Sequence, residues 1–150
     1  MAYEIFANVY DQLMDDDLFK KWFSYTEKYV PHPKASILEL GCGNGQLGIL
    51  LKQAGYDITG LDLSAEMLSL AKQRQEEAGV NFPLFQVDMR DLSSFGRYDA
   101  IISFCDTLCY LQTFDDLMSV FEQAYAHLDE GGVFLFDVFT TEHIASLDGY

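Results

Sequence analysis

The sequence predicts an α/β domain: a doubly wound, mainly parallel sheet of five visible strands behind an N-terminal helical cap. Three observations lead there. Strand-like and helix-like stretches alternate after residue 34. The strand-like stretches are continuous apolar runs, as expected of strands buried on both faces. Each run ends on or beside a carboxylate, and the first enters a glycine-rich turn. In an open parallel sheet, ligands bind in the crevice outside the carboxyl ends of the strands. Acidic side chains in that crevice favour a ligand with cationic groups and hydroxyls and disfavour one rich in phosphate.

The strands are expected over residues 36–40, 57–62, 83–88, 100–106 and 133–137. The first helix of the sheet domain is expected over 46–54, with Gly55 as its left-handed stop. Ser64 caps the next helix, which carries Glu66 in its first turn and Met67, Leu68, Leu70 and Ala71 as apolar positions. That helix ends near Ala78 and Gly79. A third helix starts around Asp115 and Asp116 and places Leu117, Val120, Phe121, Ala124 and Leu128 at helical spacing. Asp129-Glu130-Gly131-Gly132 then turns the chain into the fifth strand.

Residues 1–33 form the cap and residues 34–150 the ligand-binding domain. In the cap, Tyr3, Phe6, Val9, Tyr10 and Leu13 share one apolar face, and a second helix covers residues 18–29. Asp15, Asp16 and Asp17 suit a helix start, where acidic side chains complement the helix dipole. Pro31 and Pro33 punctuate the join to the first strand. The last apolar run has few residues after it, so its open edge calls for cover by a second copy of the chain or by a further C-terminal segment.

The chain has 150 residues, one domain's worth, and a net charge of −15 that repels phosphate backbones. Direct nucleic-acid binding is therefore not expected. No apolar run reaches the roughly 18 residues of a membrane span, and the acidic N-terminus lacks the blocks of a signal peptide. Cys42, Cys105 and Cys109 fit no zinc spacing and leave an odd thiol, which suits a reducing cytoplasm. His32, His127 and His143 are scattered singly, so no histidine metal site is expected.

The stretch Glu39-Leu40-Gly41-Cys42-Gly43-Asn44-Gly45-Gln46-Leu47-Gly48 contains two overlapping patterns. Gly43-x-Gly45-x-x-Gly48 matches the dinucleotide fingerprint. Glu39-x-Gly41-x-Gly43-x-Gly45 needs glycine for the same reason, namely turn conformations closed to other residues and close approach of backbone to ligand. Glu39 would meet a pyrophosphate with like charge, and the flanking Lys34 and Lys52 lie outside the loop. Asp62, ending the second strand, suits ribose hydroxyls under either pattern.

These residues resemble the class I S-adenosylmethionine-dependent methyltransferases. Ile37 to Gly45 is similar to their first motif, and Gly60-Leu61-Asp62-Leu63-Ser64-Ala65-Glu66-Met67-Leu68 to their second. Val87-Asp88-Met89-Arg90-Asp91-Leu92 resembles the adenine-binding turn, and Leu128 to Phe134 the approach to the fifth strand. Tyr3-x-x-Phe6-Ala7-x-x-Tyr10-Asp11, with Cys105-Asp106-x-Leu108-x-Tyr110-Leu111, is similar to a bacterial subgroup of small, mostly uncharacterised members.

The resemblance implies a Rossmann-like sheet and S-adenosylmethionine as cofactor. It places Gly41, Cys42 and Gly43 against the methionine part, with Glu39 fixing the loop and Cys42 a small filler. It gives Asp62 the ribose hydroxyls, Leu63 one adenine face, Asp88 the adenine amino group and Met89 the ring. The Cys105 carbonyl and Asp106 would face the ligand's amino group. Tyr3, Tyr10 and Trp22 are candidates for closing over the cofactor. Asp106 is the candidate general base, with Tyr110 and His143 behind it. The expected acceptor is a small molecule, and the family's sheet has seven strands where this chain supplies five. Two other readings stay open: a nicotinamide-dependent, NAD(P)-binding oxidoreductase domain, and a non-catalytic module that binds S-adenosylmethionine.

Overall fold

A computed structural model describes residues 16–104 and 111–137. The expectations for Tyr3, Tyr10, Cys105, Asp106, Tyr110 and His143 lie outside the described residues, as do those for Phe6, Val9, Leu13 and Cys109.

In chain order the elements are α1 (Asp16–Tyr29), β1 (Ser36–Leu40), α2 (Gln46–Gln53), β2 (Asp57–Asp62), α3 (Ala65–Ala78), β3 (Leu84–Gln86), β4 (Tyr98–Ser103), α4 (Phe114–Ala126) and β5 (Leu128–Phe136). The strands form one sheet in the order β3-β2-β1-β4-β5, and every pairing is parallel. The chain winds outward from β1 through β2 to β3, then returns to add β4 and β5 on the other side. The crevice of such a sheet opens where the winding reverses, at the carboxyl ends of β1 and β4.

Both faces of the sheet are covered, which is why the strands read as unbroken apolar runs. On one face Ile37, Ile58, Ala100, Ile102 and Leu135 pack with Phe19 of α1 and with Leu47, Ile49 and Leu51 of α2. On the other, Leu38, Leu40, Leu61 and Ile101 pack with Val120 and Ala124 of α4 and with Leu92. Phe121, Phe134 and Phe136 extend this second core through mutual ring contacts of 4.9–5.8 Å. Among the described residues β5 pairs only with β4, and no helix is long and apolar enough to cross a membrane.

Local signals set the helix ends. The Ser64 side chain accepts from the Met67 N–H at the start of α3, and Gly79 closes that helix at φ 70°. Gly55, at φ 102°, follows α2. The cap of α4 is Thr113, whose Oγ1 accepts from the Asp116 N–H at 3.0 Å, so this helix begins just ahead of the acidic pair the sequence suggested. The fully buried Gln75 bonds both the N–H and the C=O of Phe82, tying the end of α3 to the approach to β3.

The largest departures from the sequence reading are in three strands, while α1 begins at Asp16 rather than at residue 18. The strand expected over 83–88 is only Leu84–Gln86, which among the described residues is an edge strand paired with β2 alone. The strand expected over 100–106 begins earlier, at Tyr98, and the described strand ends at Ser103. Leu128 has helical spacing from Ala124 but starts β5 instead, opposite Tyr98. Nonlocal bonds decide this last case: His127 Nδ1 lies 2.7 Å from the Gly96 carbonyl, Tyr98 N–H donates to the His127 carbonyl, and Arg97 donates to the Leu128 carbonyl. Asp129 to Gly132 then form a bulge inside β5, where the register jumps from Tyr98–Leu128 to Ala100–Val133.

Gly45 fixes how closely α3 approaches the turn after β1. It has φ 78°, and a Cβ there would stand 2.9 Å from the Ala71 Cβ. Gly45→Ala combines a left-handed backbone with a clash against a side chain that has no rotamer to yield. It is expected to destabilise the fold by about 2–4 kcal/mol, read as a lower denaturant midpoint with an unchanged slope.

Candidate functional site

The candidate site is built on the turn between β1 and α2. Gly41, Gly43 and Gly45 adopt φ values of 66°, 56° and 78°, so alternate residues of the turn occupy the left-handed region. That accounts for the Glu39-x-Gly41-x-Gly43-x-Gly45 spacing in backbone terms. Gly48 lies within α2, and its role is close packing. A Cβ there would lie 2.9 Å from the Phe82 ring and 3.3 Å from Glu39 Oε1.

Asp62 holds the turn to β2. Its Oδ2 accepts from the Gly43 N–H and its Oδ1 from the Ser64 N–H, both at 2.9 Å. Cys42 N–H adds a bond of 2.8 Å to the Leu61 carbonyl. Burial raises the Asp62 pKa, and the N–H donors oppose that shift. Each carboxylate oxygen keeps acceptor capacity for a further donor such as a hydroxyl.

Glu39 is beneath the turn rather than on its rim. It is 5% exposed, and its Oε1 is buried without a hydrogen-bond partner. Desolvation, with a smaller contribution from the Asp62 charge, pushes its pKa up to about 8. Burial, Glu39 and Asp62 likewise push the Cys42 thiol up, so Cys42 stays a protonated filler whose sulfur packs against Gly60.

The neighbouring turn after β3 is arranged differently. Leu63 is 58% exposed beside Asp62, and its carbonyl accepts from Gln86 Nε2 at 3.0 Å. Asp88 is gripped by Arg90, with Nε 3.0 Å from both carboxylate oxygens and Nη2 2.6 Å from Oδ2. These bonds hold the Asp88 carboxyl below the usual carboxylate range. Arg90 Nη1 reaches on to Asp116 of α4 at 3.0 Å. Met89 packs partly buried on the second core. Trp22 is stacked on Phe104 at 5.7 Å and edge-on to Phe19 at 5.4 Å, in the packing between α1 and the sheet.

The structure therefore brings Glu39, Gly41, Cys42, Gly43, Asp62 and Leu63 together around one turn, with Asp88 and Met89 following β3. Arg90 was missed as a site residue. Its signal was its position two residues after Asp88, a spacing at which a guanidinium can fold back onto the acid. Among the described residues no group of three His, Cys, Asp or Glu side chains is arranged to hold a metal ion.

The raised pKa of Glu39 has a measurable consequence. A carboxyl whose folded pKa lies above its unfolded value stabilises the fold fully below the unfolded pKa and loses that contribution as pH rises through the folded one. Ligand-free protein should lose stability between about pH 4.5 and about pH 8. Each tenfold weakening of the acid on folding corresponds to about 1.4 kcal/mol of that loss. Glu39→Gln should flatten that part of the profile in denaturant titrations at a series of pH values, leaving the smaller slope from Asp62.

The family described as "Methyltransferase domain" matches residues 37–132. The Bacillus subtilis (strain 168) protein named "Putative methyltransferase YqeM" is 39% identical over 148 residues, covering 98% of this chain and 59% of that protein. A malonyl-[acyl-carrier protein] O-methyltransferase of Bacillus anthracis is 31% identical over 151 residues, covering 98% of this chain and 52% of that one. The crystal structure of an S-adenosylmethionine-dependent methyltransferase from Clostridium acetobutylicum ATCC 824 superposes with a TM-score of 0.81 at 30% identity, over 98% of this chain and 61% of that one. This chain thus spans between half and two thirds of the length of each of these relatives. With the match running from β1 to the bulge of β5, the chain belongs to the class I S-adenosylmethionine-dependent methyltransferase family.

Proposed function

We propose that the protein binds S-adenosylmethionine over the glycine turn and transfers its methyl group to a small-molecule acceptor. The observation that carries this reading is the turn itself: alternate left-handed glycines, pinned through Gly43 to Asp62. It is supported by the absence of Lys and Arg from residues 39–48, which leaves nothing basic in the turn to meet a pyrophosphate.

The described residues fit an adenosyl ligand. Asp62 has acceptor capacity left for the ribose hydroxyls, and the exposed Leu63 offers an apolar face to the base. Asp88 is the proposed acceptor for the adenine amino group, and the Met89 backbone N–H the donor to the ring. Gly41 and Gly43 let the backbone approach the amino-acid end. The Cys105 carbonyl, Asp106, Tyr110, Tyr3, Tyr10 and Trp22 are carried over from the family resemblance, with Asp106 as the candidate base. A cytoplasmic location belongs to the same reading, as does the cover of the β5 edge by a second copy or a further segment.

The cofactor supplies an already activated methyl on sulfur, so the chain's task is chiefly alignment. Holding donor and acceptor in line can lower the barrier by about 7–11 kcal/mol. A base matters only where the acceptor must lose a proton. The net charge of −15 argues against a nucleic-acid acceptor.

The test is differential binding. S-adenosylhomocysteine at about 100 times its Kd should stabilise the protein by about 2.7 kcal/mol, and NAD should not. A thermal shift with NAD alone would overturn the reading. Asp62→Ala removes an acceptor from the ribose and from Gly43 together. It should weaken S-adenosylhomocysteine by about 10- to 100-fold, matching about 1.5–3 kcal/mol for hydrogen bonds to a charged group. Isothermal titration calorimetry checks this, and unchanged affinity would remove Asp62 from the site. Methyl transfer across a panel of small acceptors then separates an enzyme from a module that only binds the cofactor.

A further inference from the structure

Asp62 and Asp88 follow neighbouring strands, yet only Asp62 has room for a ligand. Each Asp62 oxygen accepts one N–H bond of 2.9 Å. Asp88 is filled by a single residue. Its Oδ1 accepts from the Arg90 backbone N–H at 2.9 Å and from Arg90 Nε at 3.0 Å. Its Oδ2 accepts from Nε at 3.0 Å and from Nη2 at 2.6 Å. A carboxylate offers about four lone-pair positions, and these contacts occupy them. The remaining guanidinium nitrogen, Nη1, donates to Asp116 Oδ1 of α4 at 3.0 Å. Arg90 thus has two acids within reach, and its 47% exposed side chain can turn between them. The place of this cluster is set by Gln86, whose Nε2 bonds the Leu63 carbonyl at 3.0 Å and holds the end of β3 beside the exposed Leu63. Asp88 stands two residues further on.

We propose that Arg90 is an internal competitor for the base: it fills Asp88 in the empty site and has to turn toward Asp116 before Asp88 can accept the 6-amino group of adenine. This inference rests on the reading of Asp88 as the acceptor for that amino group, and it adds the residue that limits how strongly the base is held. Turning away costs the guanidinium one of its two acids and leaves it the other, so Arg90 stays paired in both positions. Only hydrogen bonds are exchanged, and no proton changes place. The affinity for an adenosyl ligand is reduced by the fraction of molecules in which Asp88 stands open. A residue that merely locked the Asp88 rotamer would act in the opposite direction, since its loss would weaken binding.

Isothermal titration calorimetry with two ligands tests this. One is S-adenosylhomocysteine, and the other is its purine analogue, with hydrogen in place of the 6-amino group. The analogue keeps the amino acid, the ribose and the ring nitrogens and lacks only the donor to Asp88. Arg90→Ala should bind S-adenosylhomocysteine about 2- to 5-fold more tightly than wild type, the range an exposed ion pair can withhold, and should bind the analogue unchanged. In wild-type protein the preference for S-adenosylhomocysteine over the analogue should widen as added salt screens the Arg90–Asp88 pair, and in Arg90→Ala it should not. Unchanged or weaker binding of S-adenosylhomocysteine by Arg90→Ala overturns the inference. Equal tightening of both ligands overturns it too, because that is the effect of the lost charge alone. Should Arg90→Ala fail to fold, the salt dependence of the two ligands on wild-type protein decides. Adding Asp88→Ala to Arg90→Ala should abolish the preference for the amino ligand. If the preference survives, Asp88 is not the acceptor, and the inference falls with that assignment. Failure of S-adenosylhomocysteine to bind wild-type protein at all overturns the reading of the glycine turn as well, so these failures are distinguishable.

Discussion

The pair of bonds from Asp62 to the Gly43 and Ser64 N–H groups is the constraint on which the site depends. One carboxylate at the end of β2 fixes the turn after β1 and the entry to α3 together. A turn with left-handed residues at alternate positions has little intrinsic preference for one path, since glycine is free on both sides of φ. Asp62 supplies the preference from outside the turn. The same burial that raises its pKa lowers the local dielectric and strengthens its bonds to the backbone.

Glu39, Asp62 and Asp88, each at or near the carboxyl end of a strand, are three different electrostatic objects. Asp62 is buried and held by backbone donors. Glu39 lies deeper, and its Oε1 has no hydrogen-bond partner. Asp88 is more exposed and already neutralised by Arg90. Counting acids along the sequence treats them as equivalent, and the fold does not. The negative potential offered to a ligand is therefore set by burial and pairing more than by composition.

Much of this was legible in the sequence. β1 and β2 fall over the residues expected because their apolar runs are covered on both faces, so the pattern is dictated locally. Ser64 and Gly79 end α3 through contacts within a few residues. The glycine spacing announced its own backbone. What was not legible depends on distant partners. The spacing of Ala124 and Leu128 reads as helix, yet Gly96, Arg97 and Tyr98 capture the chain at residues 127 and 128. Glu39 is buried beside the bare backbone of Gly48 in α2, and no property of residue 39 alone reveals that. Arg90 could be seen beside Asp88, but its reach to Asp116 could not, because that bond crosses 26 positions of sequence.

The bulge of β5 separates two tasks along one strand. Asp129 to Gly132 depart from the ladder at the amino end, whereas Val133 to Phe136 keep register with β4 up to the crevice. Changes in length among residues 129–132 can be absorbed where Gly131 has open space around it. The strand's far end then need not shift by the one residue that would swap its inward and outward side chains. Such a slack point lets the base of the domain drift over evolutionary time while the carboxyl-end rim of the sheet keeps its alignment.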